Sequence, residues 1–334
     1  MNHFAKIGVT TILLLGMIFL APVDSQAADG FTLKISVEST PGSATQYMLA
    51  SFRDALEAEF KDQIKVDYYD SGTLGDEIVH MQQVRTGQLD VVPIGSDAVQ
   101  LDPKWAVFDM MFLFSSREVA GELLDGDIGR KLDASFQKNA GLKVLGFGEI
   151  GFRQITNNVR PIVVPADLKG LKLRTPGSKT RILSFKSFGA IPISMNIGEL
   201  YLAMQQGVID GQENPLGNIR AHSWYEVQKY ISLSNHVYTP VTLSMNLNRW
   251  KSLSSEVQQR ILKAAKVAVA ASRKYGAEND AKLVAEIKEL AKGKTEFNAI
   301  NVKEFQVAAK PVWQEIAKIA GEDFTKEVLT ALGQ

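Results

Sequence analysis

The sequence of 334 residues contains no cysteine, which excludes a disulfide framework, a thiolate zinc site, an iron–sulfur cluster and a cysteine nucleophile. Histidine is scarce, with only His3, His80, His222 and His236, and their spacing fits no metal site. The G-x-S-x-G, H-E-x-x-H and Walker A motifs are absent as well. We therefore expect a protein that is not an enzyme and that has no metal or cofactor.

Neither sign of charge is in excess, because Lys plus Arg and Asp plus Glu each number 37. A protein that binds nucleic acid needs a clustered surplus of basic residues to displace counterions from the phosphates. A neutral chain also has no overall field that attracts it to an anionic membrane. We therefore expect no nucleic-acid partner. The length suggests about two domains.

Long apolar runs are confined to the first residues, where the segment 7–20 follows Lys6. This run would span about 21 Å as a helix, short of the ~30 Å hydrocarbon core of a membrane. Ser25 and Ala27 are small residues at the −3 and −1 positions of a plausible cleavage site. The pattern predicts a cleaved signal peptide over residues 1–27 and a soluble body in the periplasm. An uncleaved anchor helix is the alternative.

The next hundred residues alternate between strand and helix patterns. Strands are predicted over 31–37, 64–69 and 89–94, and helices over 45–60 and 77–86. Gly87 fits the C-terminal cap of the second helix. Strand, helix, strand, helix, strand indicates an open α/β lobe with parallel pairing. The order of helix, glycine and apolar-Asp turn in 81–90 recurs in 199–211, which suggests two lobes with one plan.

Two stretches bearing Pro, Gly and Asn, 146–161 and 234–240, lie between these lobes. We expect the chain to cross from lobe to lobe more than once there, around a hinge. Beyond Trp250 the pattern is helical, with helices predicted over 257–292 and 302–332. Pro311 is expected near the start of a helix or at a break.

The segment 146–151 reads G-x-G-x-x-G after an apolar strand, which suggests a dinucleotide site. Such a site requires a helix that begins at the glycines, so that its N-terminal N–H groups meet the pyrophosphate. The residues that follow are β-branched and rich in Asn, and Pro161 comes soon after. We therefore interpret the glycines as positions of close backbone packing in a crossing strand.

Two arginines lie within predicted strand segments, Arg153 in GFRQIT and Arg174 in LKLRTP. A desolvated guanidinium needs an anionic partner. That partner is either the carboxylate of a ligand, which the planar fork grips with two hydrogen bonds, or an internal Asp or Glu. The sequence alone favours neither alternative.

Three segments together carry a family resemblance. They are DLKGLKLRTP (167–176), ELYLAMQQGVIDGQENP (199–215) and YEVQKY (225–230), and the segments 72–77 and 151–157 fit the same pattern. The chain resembles the TRAP transporter solute-binding proteins of the DctP type over essentially its whole mature length. The resemblance implies a periplasmic-binding-protein-like fold, with two α/β lobes around a cleft, hinge strands and a long helix spanning both lobes.

From the resemblance we divide the chain into four parts. Residues 1–27 are the signal peptide. Lobe I comprises 28–151 and about 240–280, and lobe II comprises 152–239 and about 281–304. Residues 305–334 form a C-terminal helical segment that packs on the lobes. The implied partners are a small organic acid and the small and large membrane subunits of a permease.

The resemblance also implies site residues. Arg174 matches the arginine that forms a salt bridge with the carboxylate of the ligand, Arg153 a second contact, and Asn214 the asparagine at the same end of the ligand. Glu38 and Glu77 fall where the other lobe places polar contacts. Phe152, Met195 and Ile197 are expected near the site. At the positions of the acidic residue and arginine of sialic-acid binders, the chain has Gly95 and Ala98, which argues against sialic acid.

The class of acid stays open at this point. Unless it is protonated or bridged, a carboxylate at Glu38 would repel a second carboxylate of the ligand, and it would accept hydrogen bonds from hydroxyl or amine groups. This favours hydroxylated or sugar-derived monocarboxylates over C4-dicarboxylates. Phe152, Met195 and Ile197 would also tolerate the apolar body of an aromatic acid. The rival functions are a periplasmic nucleotide-using enzyme, an amino-acid receptor of an ABC transporter, and the receptor of a ligand sensor.

Overall fold

The computed structural model describes residues 30–334, so the predicted signal peptide lies outside the described residues. The strands are β1 (Phe31–Ser36), β2 (Ile64–Tyr69), β3 (Val91–Ile94), β4 (Leu142–Asn157), β5 (Lys172–Thr175), β6 (Ile191–Ser194), β7 (Gly211–Pro215), β8 (Tyr230–Leu233), β9 (Tyr238–Asn246) and β10 (Glu296–Ala299). The helices are α1 (Ala44–Phe60), α2 (Glu77–Thr86), α3 (Arg117–Asp125), α4 (Asp127–Ala140), α5 (Lys179–Ser187), α6 (Leu200–Gln205), α7 (Leu216–Ala221), α8 (Leu247–Ser252), α9 (Ser255–Ala291), α10 (Val302–Ala320) and α11 (Glu322–Ala331).

The first lobe has the predicted strands and helices. Helix α2 begins where the side chain of Asp76 accepts a hydrogen bond from the N–H of Val79. It ends at Gly87, whose φ of 78° is the left-handed conformation that glycine adopts without strain. Strand β1 pairs in parallel with β2 and with β3. The predicted parallel α/β lobe is therefore confirmed.

The two halves of the sheet have the same topology. The first half has the order β2-β1-β3 with β9 antiparallel to β3, and the second has β6-β5-β7 with β4 antiparallel to β7. The turn before the third strand is also repeated. Asp90 accepts a hydrogen bond from the N–H of Lys34 at 2.7 Å, and Asp210 accepts one from the N–H of Lys172 at 2.8 Å. The repeated sequence pattern thus corresponds to a repeated structural unit.

Strand β4 joins the two halves of the sheet. Its first part, through Phe152, pairs with β9, and from Arg153 onward it pairs with β7. The segment 146–151 lies inside this strand, and no helix begins there. A Cβ on Gly148 would lie 2.4 Å from Sδ of Met48, so the glycine is needed for close packing. The interpretation of these glycines as packing positions in a crossing strand is confirmed.

The long helix α9 contacts both halves of the fold. Ser254 caps its start by accepting a hydrogen bond from the N–H of Val257, so the helix begins at Ser255, two residues before the predicted helix pattern 257–292. Its first half packs with α1 in one apolar core, where Ile261 is fully buried. Its second half contributes Ile287 to the core of the second lobe, next to α7. The helix therefore spans both lobes.

The C-terminal segment differs from the prediction at Pro311. This proline lies inside α10, and the break comes instead at Gly321, between α10 and α11. Pro311 is exposed, so water can satisfy the carbonyl that its missing N–H leaves unpaired. The buried face of the helix, which includes Trp313 and Ile316, keeps it continuous. The indole N–H of Trp313 donates to the carbonyl of Met111 and fixes α10 to the first lobe.

We predict that Gly276→Ala destabilises the protein. Gly276 lies in α9, and a Cβ there would lie 1.6 Å from Oε1 of Glu149, a fully buried side chain. At an exposed helix position, alanine is more favourable than glycine by about 1 kcal/mol. A loss of stability in Gly276→Ala can therefore be attributed to the contact with Glu149. We expect a loss of about 1–3 kcal/mol in the free energy of unfolding, measured by urea denaturation. Lys282→Ala, at an exposed position of the same helix, is the control, and equal stability of both variants would contradict the prediction.

Candidate functional site

A cavity of about 350 Å³ lies between the two lobes. Its volume is within the ~300–1,000 Å³ range of small-molecule sites. It opens at the carboxyl ends of parallel strands in both lobes, where ligands of open α/β sheets bind. The first lobe contributes residues that follow β1 and β3, and the second contributes residues in β5 and after β6.

Seven of the eight predicted site residues line this cavity: Glu38, Glu77, Arg153, Arg174, Met195, Ile197 and Asn214. Phe152 does not. Successive side chains of a strand point to opposite faces, so Arg153 faces the cavity and Phe152 turns away from it. The Phe152 ring packs edge-on against Tyr238, with centroids 5.2 Å apart. Phe152 was expected near the site, but the structure does not place its side chain in this cavity.

Arg174 projects from β5 into the cavity. Its side chain is 7% exposed, and its Nε donates to the carbonyl of Met195 at 2.9 Å. Among the side chains of residues 30–334, no carboxylate lies within salt-bridge distance of its guanidinium. Burial lowers the pKa of Arg174, and the nearby charge of Arg153 lowers it further. An anion in the cavity would relieve this unpaired, desolvated charge.

Arg153 has an internal partner instead. Its guanidinium forms a two-pronged pair with the carboxylate of Glu213, and its Nη2 also donates to the Glu213 carbonyl at 2.5 Å. Both side chains are buried, at 2% and 0% exposure. The sequence left open whether each arginine pairs with an internal carboxylate or with a ligand. Arg153 has the internal ion pair. Arg174 has none among the described residues, so its guanidinium is free to pair with a ligand.

Glu213 is the centre of a larger buried network. It also accepts hydrogen bonds from Nη1 of Arg181 at 3.0 Å and contacts Nε2 of His236 at 3.1 Å. Arg181 in turn donates to Asp109 of the first lobe at 2.7 Å and 3.0 Å. Burial raises the pKa of Glu213, but the two arginines outweigh this and hold it well below its ordinary value. The carboxylate therefore stays ionised and keeps Arg153 in place.

Amide groups lie beside the arginines. Asn214 follows Glu213 in β7, and its amide nitrogen donates to the side chain of Gln212 at 2.7 Å. Its oxygen accepts from the amide of Asn218, one turn further on in α7, at 3.0 Å. Asn196, after β6, also lines the cavity. The wall of the second lobe is thus cationic and rich in hydrogen-bond donors.

The wall of the first lobe is acidic. Glu38 accepts a hydrogen bond from the N–H of Glu77 at 2.8 Å, and Glu77 accepts one from the N–H of Gly95 at 2.8 Å. Asp97 completes this group. Burial raises the pKa of Glu38 to about 7 and raises the pKa values of Glu77 and Asp97 as well. The raised pKa values favour protonation of these carboxyl groups, which accept hydrogen bonds and which disfavour a second anion when they are ionised.

Comparison with known proteins assigns the chain to a family. The model of the bacterial extracellular solute-binding proteins of family 7, DctP, matches residues 35–319. The chain belongs to this family. The resemblance seen in the sequence is therefore confirmed, and so is the two-lobe fold that it implied.

Relatives of the DctP family include proteins with named ligands. The 2,3-diketo-L-gulonate-binding periplasmic protein YiaO of Escherichia coli is 35% identical over 81% of this chain and 82% of its own length. A TRAP solute-binding protein of Polaromonas, bound to D-erythronate, is 31% identical with a TM-score of 0.84. That match covers 89% of this chain and 97% of the other. A TRAP protein of Sulfurospirillum deleyianum, bound to succinate, is 28% identical over 90% and 98%, with a TM-score of 0.85.

Sequence reasoning missed other residues that line the cavity of this DctP-family chain, among them Asp97, Asn196 and Asn218. Asp97 lies three residues after the predicted strand 89–94, and Asn196 lies two residues after β6. A polar residue just beyond the carboxyl end of a parallel strand is the signal that would have indicated them. Asn218 depends on the start of α7, which the sequence pattern did not predict.

The remaining observations concern His80, membrane-spanning helices and metal sites. His80 contacts Oγ of Ser36 at 3.0 Å, and burial lowers its pKa to about 4, as fits a hydrogen-bonded structural histidine. None of the helices in residues 30–334 is both long and apolar enough to cross a membrane. Within the same residues, His, Asp and Glu side chains form no group arranged to hold a metal ion.

We predict that Glu38 destabilises the ligand-free protein as pH rises. A carboxyl with a raised folded-state pKa favours folding at low pH, and this contribution is lost between its ordinary value of 4.5 and about 7. Glu38→Gln removes the desolvated charge, so we expect it to raise the free energy of unfolding by about 1–3 kcal/mol at pH 8. At pH 4.5 the difference should be much smaller.

Urea denaturation at both pH values measures this difference. The exposed Glu289→Gln, on α9, is the control and should show no comparable gain at pH 8. A difference between wild type and Glu38→Gln that is the same at pH 4.5 and pH 8 would sink the prediction.

Proposed function

We propose that this protein is the extracytoplasmic receptor of a TRAP transporter and captures a small organic acid in the cleft between its lobes. The observation that carries the proposal is the buried guanidinium of Arg174, which faces the cavity without an ionic partner. Hydrogen bonds to charged groups contribute about 1.5–3 kcal/mol each, so a carboxylate gripped by Arg174 accounts for tight binding. Arg153, Asn214, Met195 and Ile197 contribute to the same end of the site.

Binding is coupled to movement of the lobes. Lobe I comprises 28–151 and about 240–280, lobe II comprises 152–239 and about 281–304, and 305–334 packs on both. A ligand that contacts both walls favours the closed state, because open and closed states of such receptors differ by only a few kcal/mol. The closed receptor then docks on the small and large membrane subunits of the permease. Residues 1–27 direct export to the periplasm, and the chain performs no catalysis.

The ligand class that we favour is a hydroxylated or sugar-derived monocarboxylate. A carboxylate at Arg174 directs the rest of the ligand toward Glu38 and Glu77 on the opposite wall. Hydroxyl groups can donate to these carboxyl groups, whereas a second carboxylate would be repelled. YiaO and the D-erythronate-bound relative have ligands of this class. A C4-dicarboxylate is the alternative, because a relative of similar fold is bound to succinate; an aromatic acid fits the apolar side chains of Met195 and Ile197.

A thermal-shift screen against sugar acids, C4-dicarboxylates, aromatic acids, amino acids and nucleotides tests the proposal. A ligand at 100 times its Kd adds about 2.7 kcal/mol to the free energy of unfolding, enough to raise Tm measurably. We expect shifts from carboxylates, largest for sugar acids. A shift with nucleotides alone would overturn the receptor assignment.

We predict that Arg174→Ala weakens binding of the best carboxylate at least tenfold, as measured by calorimetry, because charge-assisted hydrogen bonds are lost. The ligand-free variant should be as stable as the wild type, since an unpaired buried cation is removed. Arg153→Ala is the contrast: it leaves buried Glu213 short of a partner and should lower stability by about 3–5 kcal/mol. Unchanged affinity in Arg174→Ala would defeat the assignment.

A further inference from the structure

The cleft is bridged at one edge of the cavity. A 3₁₀ turn, Ser96–Gln100, follows β3 in the first lobe, and Gly177 follows β5 in the second. Asp97, Gln100 and Gly177 all line the cavity. The turn and the glycine belong to different lobes, so their contact bridges the cleft.

The contact between them is tight. Nε2 of Gln100 donates to Oδ1 of Asp97 at 2.7 Å. A Cβ on Gly177 would lie 2.7 Å from each of these two atoms, closer than side chains normally approach. Gly177 is not in the left-handed conformation, so a side chain here would not strain the backbone, but it would displace the side-chain ends of Asp97 and Gln100.

A second contact anchors the same loop. Just after Gly177, Ser178 and Thr180 donate to the carboxylate of Asp109, which also pairs with Arg181. Asp109 and Arg181 are 3% and 1% exposed and lie away from the cavity. The loop before α5 is thus held to the first lobe by a fully buried ion pair on one side and touches Asp97 on the cavity side.

We propose that Asp97 and Gln100 form a clasp that closes on Gly177, and that Asp97 is a specificity-determining residue of the cleft. The part of this inference that concerns ligand specificity rests on the proposed receptor function. Asp97 accepts a hydrogen bond from Gln100 within the same turn, lies next to Gly177 of the second lobe and lines the cavity, so one side chain is placed to contact both the second lobe and a ligand. As the clasp closes, the hydroxyl groups of a ligand can donate hydrogen bonds to the carboxylate of Asp97. A second carboxylate of the ligand at this edge would be repelled by Asp97.

Distance measurements between the lobes test the clasp without any ligand. The absence of cysteine allows Val79→Cys in the first lobe and Leu202→Cys in the second, both exposed, to carry spin labels in the exported protein. We expect Gly177→Ala to shift the distance distribution toward the open state. Gly198→Ala is the matched control, because a Cβ at this glycine, also in the second lobe, meets no atom within 4 Å.

Gln100→Ala completes a double-mutant cycle. If Gly177→Ala acts by disturbing the clasp, its effect on the distances should largely disappear in the Gln100→Ala background. A Gly177→Ala variant that behaves like Gly198→Ala would overturn the clasp. The clasp would also be overturned if the effects of Gly177→Ala and Gln100→Ala on the distances were simply additive.

Calorimetry with D-erythronate and succinate as probes tests ligand binding and the specificity role of Asp97. We expect Gly177→Ala to weaken the binding of either probe about tenfold, and Gly198→Ala to leave it unchanged. Asp97→Asn should raise the affinity for succinate relative to D-erythronate about tenfold, because it removes a negative charge from the cavity. An unchanged ratio would refute the specificity role. If no carboxylate in the thermal-shift panel binds, the proposed function fails, and the ligand-free distances still decide the clasp.

Discussion

The buried carboxylate of Glu213 is the interaction on which the site depends. Three cationic or proton-bearing groups, from Arg153, Arg181 and His236, converge on it in a region without water contact. A buried carboxylate with fewer partners would take up a proton, and the arginines around it would lose their counter-charge. With Glu213 ionised, it and Asp109 together balance the charges of Arg153 and Arg181. Arg174 keeps its full charge for the cavity.

Much of the fold could be predicted from the sequence because its signals are local. The bounds of β2 and α2 follow from alternation, the capping Asp76 and the stop at Gly87, all within a few residues of the element they define. Pro311 shows the limit of such reasoning. Its place inside α10 depends on burial of Trp313 and Ile316 against distant elements, which no local pattern reveals.

The site was predictable only in part, and for a similar reason. Residue types indicated that Arg153 and Arg174 need anions, but the choice between an internal and an external partner depends on Glu213, sixty residues after Arg153 in the chain. Phe152 is next to Arg153 in the chain, but it lies on the other face of the strand and does not line the cavity. Asp97 was missed although a local signal exists, because it lies just beyond the carboxyl end of a parallel strand.

Helix α9 has a mechanical consequence. Its 37 residues form a rod about 55 Å long that is fastened to α1 at one end and near α7 at the other. Because α9 is one continuous helix, a change in the angle between the lobes must bend it or shift one of these two contacts. The helix is thus a mechanical link between the lobes, in addition to the strand β4 that joins the two halves of the sheet.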